Sequence, residues 1–214
     1  MNYLRTKLKA LLDKCNYRQL EYIASTKTQY IDTGVIPKKT TKTVVEFLME
    51  SQGYDGVNNR GSILGAYGNS EDAFTMNFGQ QPAPPDFFVW VDKSFKPGGA
   101  TPYKFPATSI GVKHKLTVQS GSATLDSTTI KVATKTADHT ENSMYMFGSN
   151  LYGTPSLCTQ GTLRIYSCKI YEGSTLIRDY IPVEKNGQVG MYDKVTYTLY
   201  TNKGTGEFVK GNAI

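Results

Sequence analysis

The sequence has few cysteines and histidines. In 214 residues it contains Cys15, Cys158 and Cys168, together with His114 and His139, and it has no Cys-x-x-Cys pair. An odd number of cysteines without metal-ligand spacing argues against a disulfide framework and against a zinc site. We therefore expect free thiols, no metal and no cofactor, with a Cys158–Cys168 pair across neighbouring strands as the alternative.

A long apolar run is also lacking. The longest is Phe87–Val91, whereas a membrane-spanning helix needs about 20 apolar residues. The basic N-terminus contains only the short apolar stretch Ala10–Leu12, and a secretory signal needs roughly 7–15 such residues. These absences predict a protein made in a reducing cytosol, with no membrane insertion and no conventional export signal.

Positive charge is concentrated at one end of the chain. There are 24 Lys and Arg against 18 Asp and Glu, a net charge of +6, and residues 1–18 hold five of the basic residues and a single acidic one. A nucleic-acid-binding domain normally carries its basic face, with aromatic side chains between the charges, on the body of the domain. The pattern therefore argues against a nucleic-acid partner. It leaves the N-terminal tip as either a solvated helix face or an anion-seeking surface.

Apolar residues near the N-terminus recur at helical spacing. The stripe consists of Leu4, Leu8, Leu11, Leu12 and Cys15. This spacing predicts a short amphipathic α-helix within residues 1–19, an anchor or oligomerisation segment. A helix this short is marginal on its own. We expect it to pack on its own domain, to join copies of itself as a dimer or trimer, or to dock onto a partner protein.

From Leu20 onward the helical period gives way to alternation of apolar and polar residues. His114, Leu116 and Val118 alternate with polar neighbours, and Glu172–Ser174 has the composition of a hairpin turn. Further strands are predicted near residues 43–49, 62–67, 73–78, 87–91, 123–126, 128–132, 143–147, 166–170, 176–182, 188–192 and 197–201. Short strands at regular spacing, without a βαβ pattern, predict an all-β antiparallel sandwich over residues 20–214.

Two segments have the composition of long loops. One is Gly53–Gly61, and the other spans residues 79–111, which hold six of the nine prolines and the only tryptophan, Trp90. A proline-rich loop of this length in a compact domain usually faces a ligand or partner. The alternative is that it covers a sheet edge, which prolines protect.

The sequence carries no complete catalytic motif. Sandwich glycanases use a Glu-x-Asp-x-x-Glu-like strand, and the nearest pattern here, Glu46 to Glu50, has Leu48 at the place of the middle aspartate. Two catalytic carboxylates stand about 5–5.5 Å or about 6.5–9.5 Å apart, whereas residues four apart on a strand are separated by about 13 Å. We therefore interpret both glutamates as solvent-facing and expect no enzyme activity. His114 is expected to be a hydrogen-bonded core residue.

A glycan-binding site is a separate possibility, because sugars stack on aromatic rings while amides and carboxylates bond their hydroxyls. The loop candidates are Tyr54, Asn58, Asn59, Tyr67, Asn69, Trp90, Tyr103, Asn150 and Tyr152. Clustered carboxylates on one loop, which a calcium site needs, are missing. Arg178 and Asp179 are assigned to structural pairing, and Asp193-Lys194 to a turn between two strands.

Three parts of the sequence resemble a known domain. They are Leu20–Gly34, then Leu163–Tyr171 continuing through Arg178–Val183, and Gly190–Val195 with Gly204–Phe208 near the end. Together they resemble the concanavalin A-like (laminin-G-type) sandwich, or jelly roll, of tailed phages of gut bacteria and of their hosts' surface proteins.

The resemblance implies a fold and a context. We expect a concanavalin A-like β-sandwich in a non-enzymatic virion protein, such as a capsid decoration, head fibre or tail appendage, assembled in the host cytoplasm. Its partners would be other virion proteins, contacted through the N-terminal helix, and host-surface carbohydrate. The alternatives are a carbohydrate-binding module of a bacterial surface protein or a glycoside hydrolase. This domain is a scaffold with many functions, so the function must be argued from a site.

Overall fold

The computed structural model describes residues 6, 16–52, 61–68, 73–78, 87–92, 103–105, 109–135, 138, 141–157 and 161–214. The predicted N-terminal stripe of Leu4, Leu8, Leu11, Leu12 and Cys15 lies outside the described residues. Within the described part, no helix is long and apolar enough to cross a membrane, and no cluster of His, Cys, Asp or Glu has the arrangement of a metal site.

The described residues form nineteen strands. They are β1 (Arg18–Gln19), β2 (Ile23–Ser25), β3 (Ile31–Asp32), β4 (Thr41–Gln52), β5 (Gly61–Tyr67), β6 (Ala73–Phe78), β7 (Phe87–Asp92), β8 (Tyr103–Lys104), β9 (Lys113–Gln119), β10 (Ser122–Leu125), β11 (Thr128–Lys131), β12 (Tyr145–Met146), β13 (Gly148–Leu151), β14 (Thr154–Leu157), β15 (Gly161–Glu172), β16 (Thr175–Lys185), β17 (Gln188–Asp193), β18 (Thr198–Thr201) and β19 (Val209–Lys210). Each predicted strand overlaps an observed one, although the one predicted near residues 143–147 is only Tyr145–Met146. The hairpin turn at Gly173 joins β15 to β16.

The larger sheet has eleven strands, and its main order is β11-β10-β9-β4-β15-β16-β17-β18. Strand β15 pairs with β4 along its whole length, and its other edge pairs first with β2 and then with β16. Strands β1 and β19 complete the sheet by pairing with β16 and β2. Pairing therefore begins at Arg18, two residues before the predicted start of the sandwich.

The smaller sheet has eight strands, with the order β14-β13-β5-β6-β7-β8, with β12 beside β5 and with β3 beside β12. Among the described strands its β5–β13 pair is parallel, and all other pairs are antiparallel. The exception arises because the chain reverses at Phe147, whose φ is +64°. Strand β12 runs antiparallel to β5 before this reversal, and β13 returns along the same strand.

The core lies between the two sheets. Val45, Phe47 and Met49 of β4 point inward and are almost fully buried. The Phe47 ring meets the Phe87 ring of the smaller sheet at 5.2 Å between centroids, and the Thr43 hydroxyl lies 3.7 Å from the Met76 sulfur. Each large apolar side chain buried here contributes about 1.5–3 kcal/mol. The all-β sandwich is confirmed.

Hydrogen bonds join the first resemblance segment to the last. The Gln29 side-chain oxygen accepts hydrogen bonds from Ser25 Oγ and the Thr26 amide, and its nitrogen donates to the Thr205 carbonyl. The Asn202 side chain accepts from the Tyr30 amide. These two segments therefore have a structural role, because their hydrogen bonds hold the C-terminal segment on the loop between β2 and β3.

Candidate functional site

The outer face of the larger sheet, the side turned away from the core, carries the polar residues of β4, β9 and β15. Even-numbered residues of β4 face outward because its odd-numbered residues are buried. Cross-strand pairing arranges the outward side chains in four rows. The rows are Lys113–Leu48–Arg164, Lys115–Glu46–Ser167, Thr117–Val44–Lys169 and Gln119–Lys42–Tyr171.

A β-bulge interrupts these rows at Tyr166. Ile165 is paired with Phe47 and Ser167 with Glu46, so Tyr166 is an extra residue with no partner on β4. A bulge turns two successive side chains toward one face, and bulges are common beside binding sites because they re-aim a side chain. Here the bulge directs the Tyr166 ring outward, next to Glu46.

Tyr166 lines a cleft of about 470 Å³ on this outer face. The lining residues are Gln19, Leu20, Glu21, Glu46, Lys113, Tyr166 and Ile214. Below we call it the Tyr166 cleft. One wall is formed where the two ends of the sandwich meet, since the Ile214 amide donates to the Gln19 carbonyl and Leu20 bridges to Ala213.

The cleft combines an aromatic ring with both signs of charge. Lys113 Nζ lies 2.8 Å from a Glu46 carboxylate oxygen and 4.3 Å from the centroid of the Tyr166 ring. The Tyr22 ring stands 5.6 Å from the Tyr166 ring, and the Arg164 guanidinium lies over Tyr22 at 4.1 Å. Such a site offers a stacking surface, hydrogen-bond donors and a carboxylate acceptor within one sugar-sized volume.

The two glutamates considered as catalytic candidates face outward, as predicted. Glu46 pairs with Lys113 and Glu50 pairs with Arg164, so each carboxylate is compensated by a neighbouring cation. The second carboxylate of the cleft is Glu21, a residue that sequence reasoning missed because it lies far from Glu46 in the chain.

The structure brings three of the predicted glycan-binding residues near one another, because Leu151, which lies between Asn150 and Tyr152, pairs with Tyr67. Tyr67 and Asn150 lie in strands and are nearly buried. The Asn150 amide group donates to the Ser143 carbonyl and accepts from the Gly153 amide, so its polar groups already have structural partners. Tyr152 is exposed next to them with a φ of +53°, and Tyr103 packs against the core from β8.

The other candidates fall elsewhere. Trp90 lies in β7, where it pairs with Thr75 of β6. Tyr54, Asn58, Asn59 and Asn69 lie outside the described residues.

His114 is a core residue with both ring nitrogens occupied, as the sequence predicts. It contacts the Phe47 and Phe87 rings, and its Nδ1 and Nε2 lie 2.7 Å from Asp126 Oδ2 and 3.1 Å from the Ser109 carbonyl. Partial burial by itself raises the pKa of Asp126. The hydrogen bonds from His114 and the Lys115 amide outweigh that effect and hold the pKa below its usual value.

The charged residues of the second and third resemblance segments also have structural roles. Asp193, fully buried, accepts hydrogen bonds from the amides of Asp179 and Val195 and lies 3.6 Å from Arg178. Asp179 pairs with Lys194 at 2.8 Å. The predicted structural pairing and the predicted turn are both present. These charges hold the open end of the β16–β17 pair, where Asp193 lies opposite Tyr180 and the chain turns into β18.

The sequence signal for the cleft was weak. Tyr166 appeared only as one member of an alternating strand, because a bulge cannot be read from residues 165–167 alone. Lys113 and Tyr22 come from distant segments that meet Tyr166 only in the folded sheet.

Comparisons with known proteins agree on the architecture. No family model matches the sequence, and a search of curated proteins finds no match. A candidate carbohydrate-binding protein from Bacteroides ovatus superposes with a TM-score of 0.56 at 9% identity, covering 91% of this chain and 61% of that one. A heptameric SAP-like pentraxin from Limulus polyphemus superposes with a TM-score of 0.53 at 8% identity, covering 92% and 94%. Both are concanavalin A-like sandwiches, and this chain therefore has the concanavalin A-like fold.

Proposed function

We propose that the protein binds carbohydrate in the Tyr166 cleft and does not turn it over. The observation that carries the proposal is the bulge at Tyr166, which sets an aromatic ring beside the Lys113–Glu46 pair at a cleft of about 470 Å³. A sugar ring takes the place of the Lys113 ammonium on the Tyr166 ring. Glu46 and Glu21 accept hydrogen bonds from the sugar hydroxyls. The similarity of fold to a candidate carbohydrate-binding protein is consistent with this role.

The absence of catalysis is part of the proposal. Glu46 and Glu50 are four residues apart on one strand, a separation of about 13 Å that exceeds both catalytic spacings. Each is paired with a cation. A reducing-sugar assay on β-glucans, galactans and peptidoglycan should show no release above buffer. Release that disappears in Glu46→Gln would contradict this part of the proposal.

The binding test uses a glycan array followed by calorimetry on the best neutral oligosaccharide. Tyr166→Ala should lower affinity at least about tenfold, which corresponds to about 1.4 kcal/mol of lost stacking. The matched control is Tyr197→Ala, since Tyr197 is 65% exposed and is not among the residues that line the cleft. Equal affinities of the two variants would place the binding site elsewhere, and no binding by the intact protein would overturn the proposal.

We further propose that the protein is a component of a tailed-phage virion, assembled in the host cytoplasm. The sandwich is displayed as a capsid decoration, head fibre or tail appendage, and residues 1–15 attach it to another virion protein or to copies of itself. Support comes from the three resemblance segments and from the basic, leucine-striped N-terminus. A carbohydrate-binding module of a bacterial surface protein is the alternative setting.

Truncation tests the attachment. Deleting residues 1–15 keeps Tyr17, whose ring packs on Tyr192 at 4.7 Å, so the sandwich should stay folded and keep its glycan affinity. The truncated chain should lose incorporation into particles or lose oligomer mass in light scattering. Unchanged assembly would show that the segment is not an anchor.

A further inference from the structure

Three tyrosine–cation pairs extend along the outer face. Arg164 lies 4.1 Å from the Tyr22 ring, Lys113 lies 4.3 Å from the Tyr166 ring, and Lys42 lies 4.3 Å from the Tyr171 ring. The first two pairs belong to the Tyr166 cleft and its margin. The third lies farther along β15, so the row of rings continues beyond the cleft.

Positive charge is in excess on this face. The outward charged residues of β4, β9 and β15 are five cations and two carboxylates: Lys42, Lys113, Lys115, Arg164 and Lys169, with Glu46 and Glu50. Both carboxylates are already paired, with Lys113 and Arg164. In the part of the chain that the structure describes, no ion pair is formed by Lys42, Lys115 or Lys169. Three cations are left for a ligand.

The length of the row sets the size of that ligand. Tyr166 and Tyr171 are five residues apart on β15, which corresponds to about 16 Å. Lys169 faces outward between them. A molecule that touches both rings must therefore be an extended chain longer than one sugar ring, and it passes an unpaired ammonium on the way.

We propose that the outer face binds an extended acidic polysaccharide, a chain of carboxylate-bearing sugars that runs from the Tyr166 cleft past Lys169 to Tyr171 and Lys42. This inference rests on carbohydrate binding at the cleft and adds the class of ligand. The rings stack on sugar faces, and the three spare cations pair with carboxylates. Glu46 and Glu50 lie among these cations. Sugar hydroxyls can approach the two carboxylates as donors, whereas a phosphate backbone is repelled by them, and this favours a polysaccharide over a nucleic acid.

The test compares polygalacturonate with a neutral galactan of similar length by calorimetry. Polygalacturonate should bind more tightly at about 50 mM salt, and its affinity should fall steeply at about 500 mM because exposed charge pairs are screened. Affinity for the neutral galactan should change little with salt. A preference for the neutral chain at low salt would overturn this inference while leaving carbohydrate binding intact.

Two charge variants make the test specific. Lys42→Gln combined with Lys169→Gln should lower polygalacturonate affinity about 3- to 10-fold, the loss expected from two exposed ion pairs. It should leave galactan affinity within about twofold. Lys203→Gln, at an exposed lysine outside this face, is the matched control and should have no effect.

The remaining outcomes separate the proposals. If Lys203→Gln weakens binding as much as the double variant does, net charge and not this face is responsible, and the inference fails. If an oligothymidylate of similar length binds as tightly and loses the same affinity in the double variant, the face is a general polyanion surface and the acidic-polysaccharide assignment fails. If neither polysaccharide binds while a glycan from the array still does, this inference fails and carbohydrate binding at the cleft stands. If the intact protein binds no glycan at all, both fail.

Discussion

Gly204 lies where the C-terminal segment crosses the loop between β2 and β3. A Cβ atom at this position would overlap the Thr28 carbonyl oxygen, and the same stretch is held by the hydrogen bond from Thr28 Oγ1 to the Thr205 carbonyl. The close approach of two backbone segments is therefore the physical reason for a glycine here.

Gly204→Ala should destabilise the protein by about 3 kcal/mol, because the clash is with backbone and cannot be relieved by moving a flexible side chain. Denaturant unfolding measures the change. Gly34→Ala is the control: Gly34 has a φ of +66° and open space around its Cβ position, so only backbone strain of about 1 kcal/mol is expected. Equal losses in the two variants would contradict the role assigned to Gly204.

Asp126 is a source of pH-dependent stability. The hydrogen bonds from His114 and Lys115 lower its pKa in the folded state, so the carboxylate stabilises the fold above its unfolded pKa of about 3.9. That stabilisation is lost as the pH falls through the depressed folded pKa. The free energy of unfolding should therefore decrease in the acid range below about pH 4.

Asp126→Asn isolates this effect. Asp126 has a φ of +53°, which asparagine tolerates, and the Asn side-chain oxygen can still accept from the Lys115 amide. The variant should be less stable at neutral pH and should lose less stability on acidification than the wild type. If the free energy of unfolding decreases equally below about pH 4 in the variant and the wild type, Asp126 is not the source of the pH dependence.

At the scale of elements, β1 and Tyr17 close the outer side of β16 and β17. Tyr17 belongs to a small cluster with Ile181, Val183, Tyr192 and Leu199, separate from the main core. The Lys185 ammonium lies 4.5 Å from the centroid of the Tyr17 ring. Tyr17 therefore holds the N-terminal segment against the sandwich.

Tyr17→Ala should cost about 2 kcal/mol of unfolding free energy, because it removes a partly buried ring and its aromatic contact. Tyr17→Phe keeps the ring and should stay within about 0.5 kcal/mol of the wild type. Thermal or denaturant unfolding distinguishes the two. A neutral Tyr17→Ala would mean that the sandwich is closed without this segment.

Most elements followed from local pattern. Alternation along β4 and β9 predicted which side chains are buried, because successive residues of a strand point to opposite faces. Local pattern did not indicate the β5–β13 parallel pair or the Tyr166 bulge. Both depend on the register of a neighbouring strand. The positive φ of Phe147, which reverses the chain between β12 and β13, could not be predicted because phenylalanine rarely adopts this conformation.

At the scale of the whole molecule, the reactivity of the Cys168 thiol is a probe of global unfolding. It is fully buried at the middle of β15, and burial first, then the carboxylates of Asp179 and Asp193, raise the pKa of its thiol far above the usual value. Because the thiolate is the reactive form, Cys168 should be inert in the folded protein.

A variant carrying Cys15→Ser and Cys158→Ser has this single thiol. It should not react with a chromogenic disulfide reagent at about pH 8 under native conditions, and it should give one thiol per chain in denaturant. Its reaction rate should rise with denaturant in step with unfolding. Rapid reaction of the native variant would contradict the burial of Cys168.

The sequence by itself determined the all-β class, the positions of most strands and the structural use of Asp193, Arg178 and His114. These depend on alternation, turn chemistry and short-range pairing, which are local properties of the chain. The sequence also shows that residues 19–214 are nearly neutral on average, with 19 basic and 17 acidic residues.

Only the tertiary structure decided where that charge is placed. Strands β4, β9 and β15 come from distant parts of the sequence, and their pairing gathers five cations but only two carboxylates on one face. The tertiary structure also buries Asn150 and Tyr67 in the smaller sheet. On the outer face of the larger sheet it brings Tyr22, Tyr166 and Lys113 together. A site built across strands depends on register and on bulges, and these are set by contacts between segments far apart in the chain.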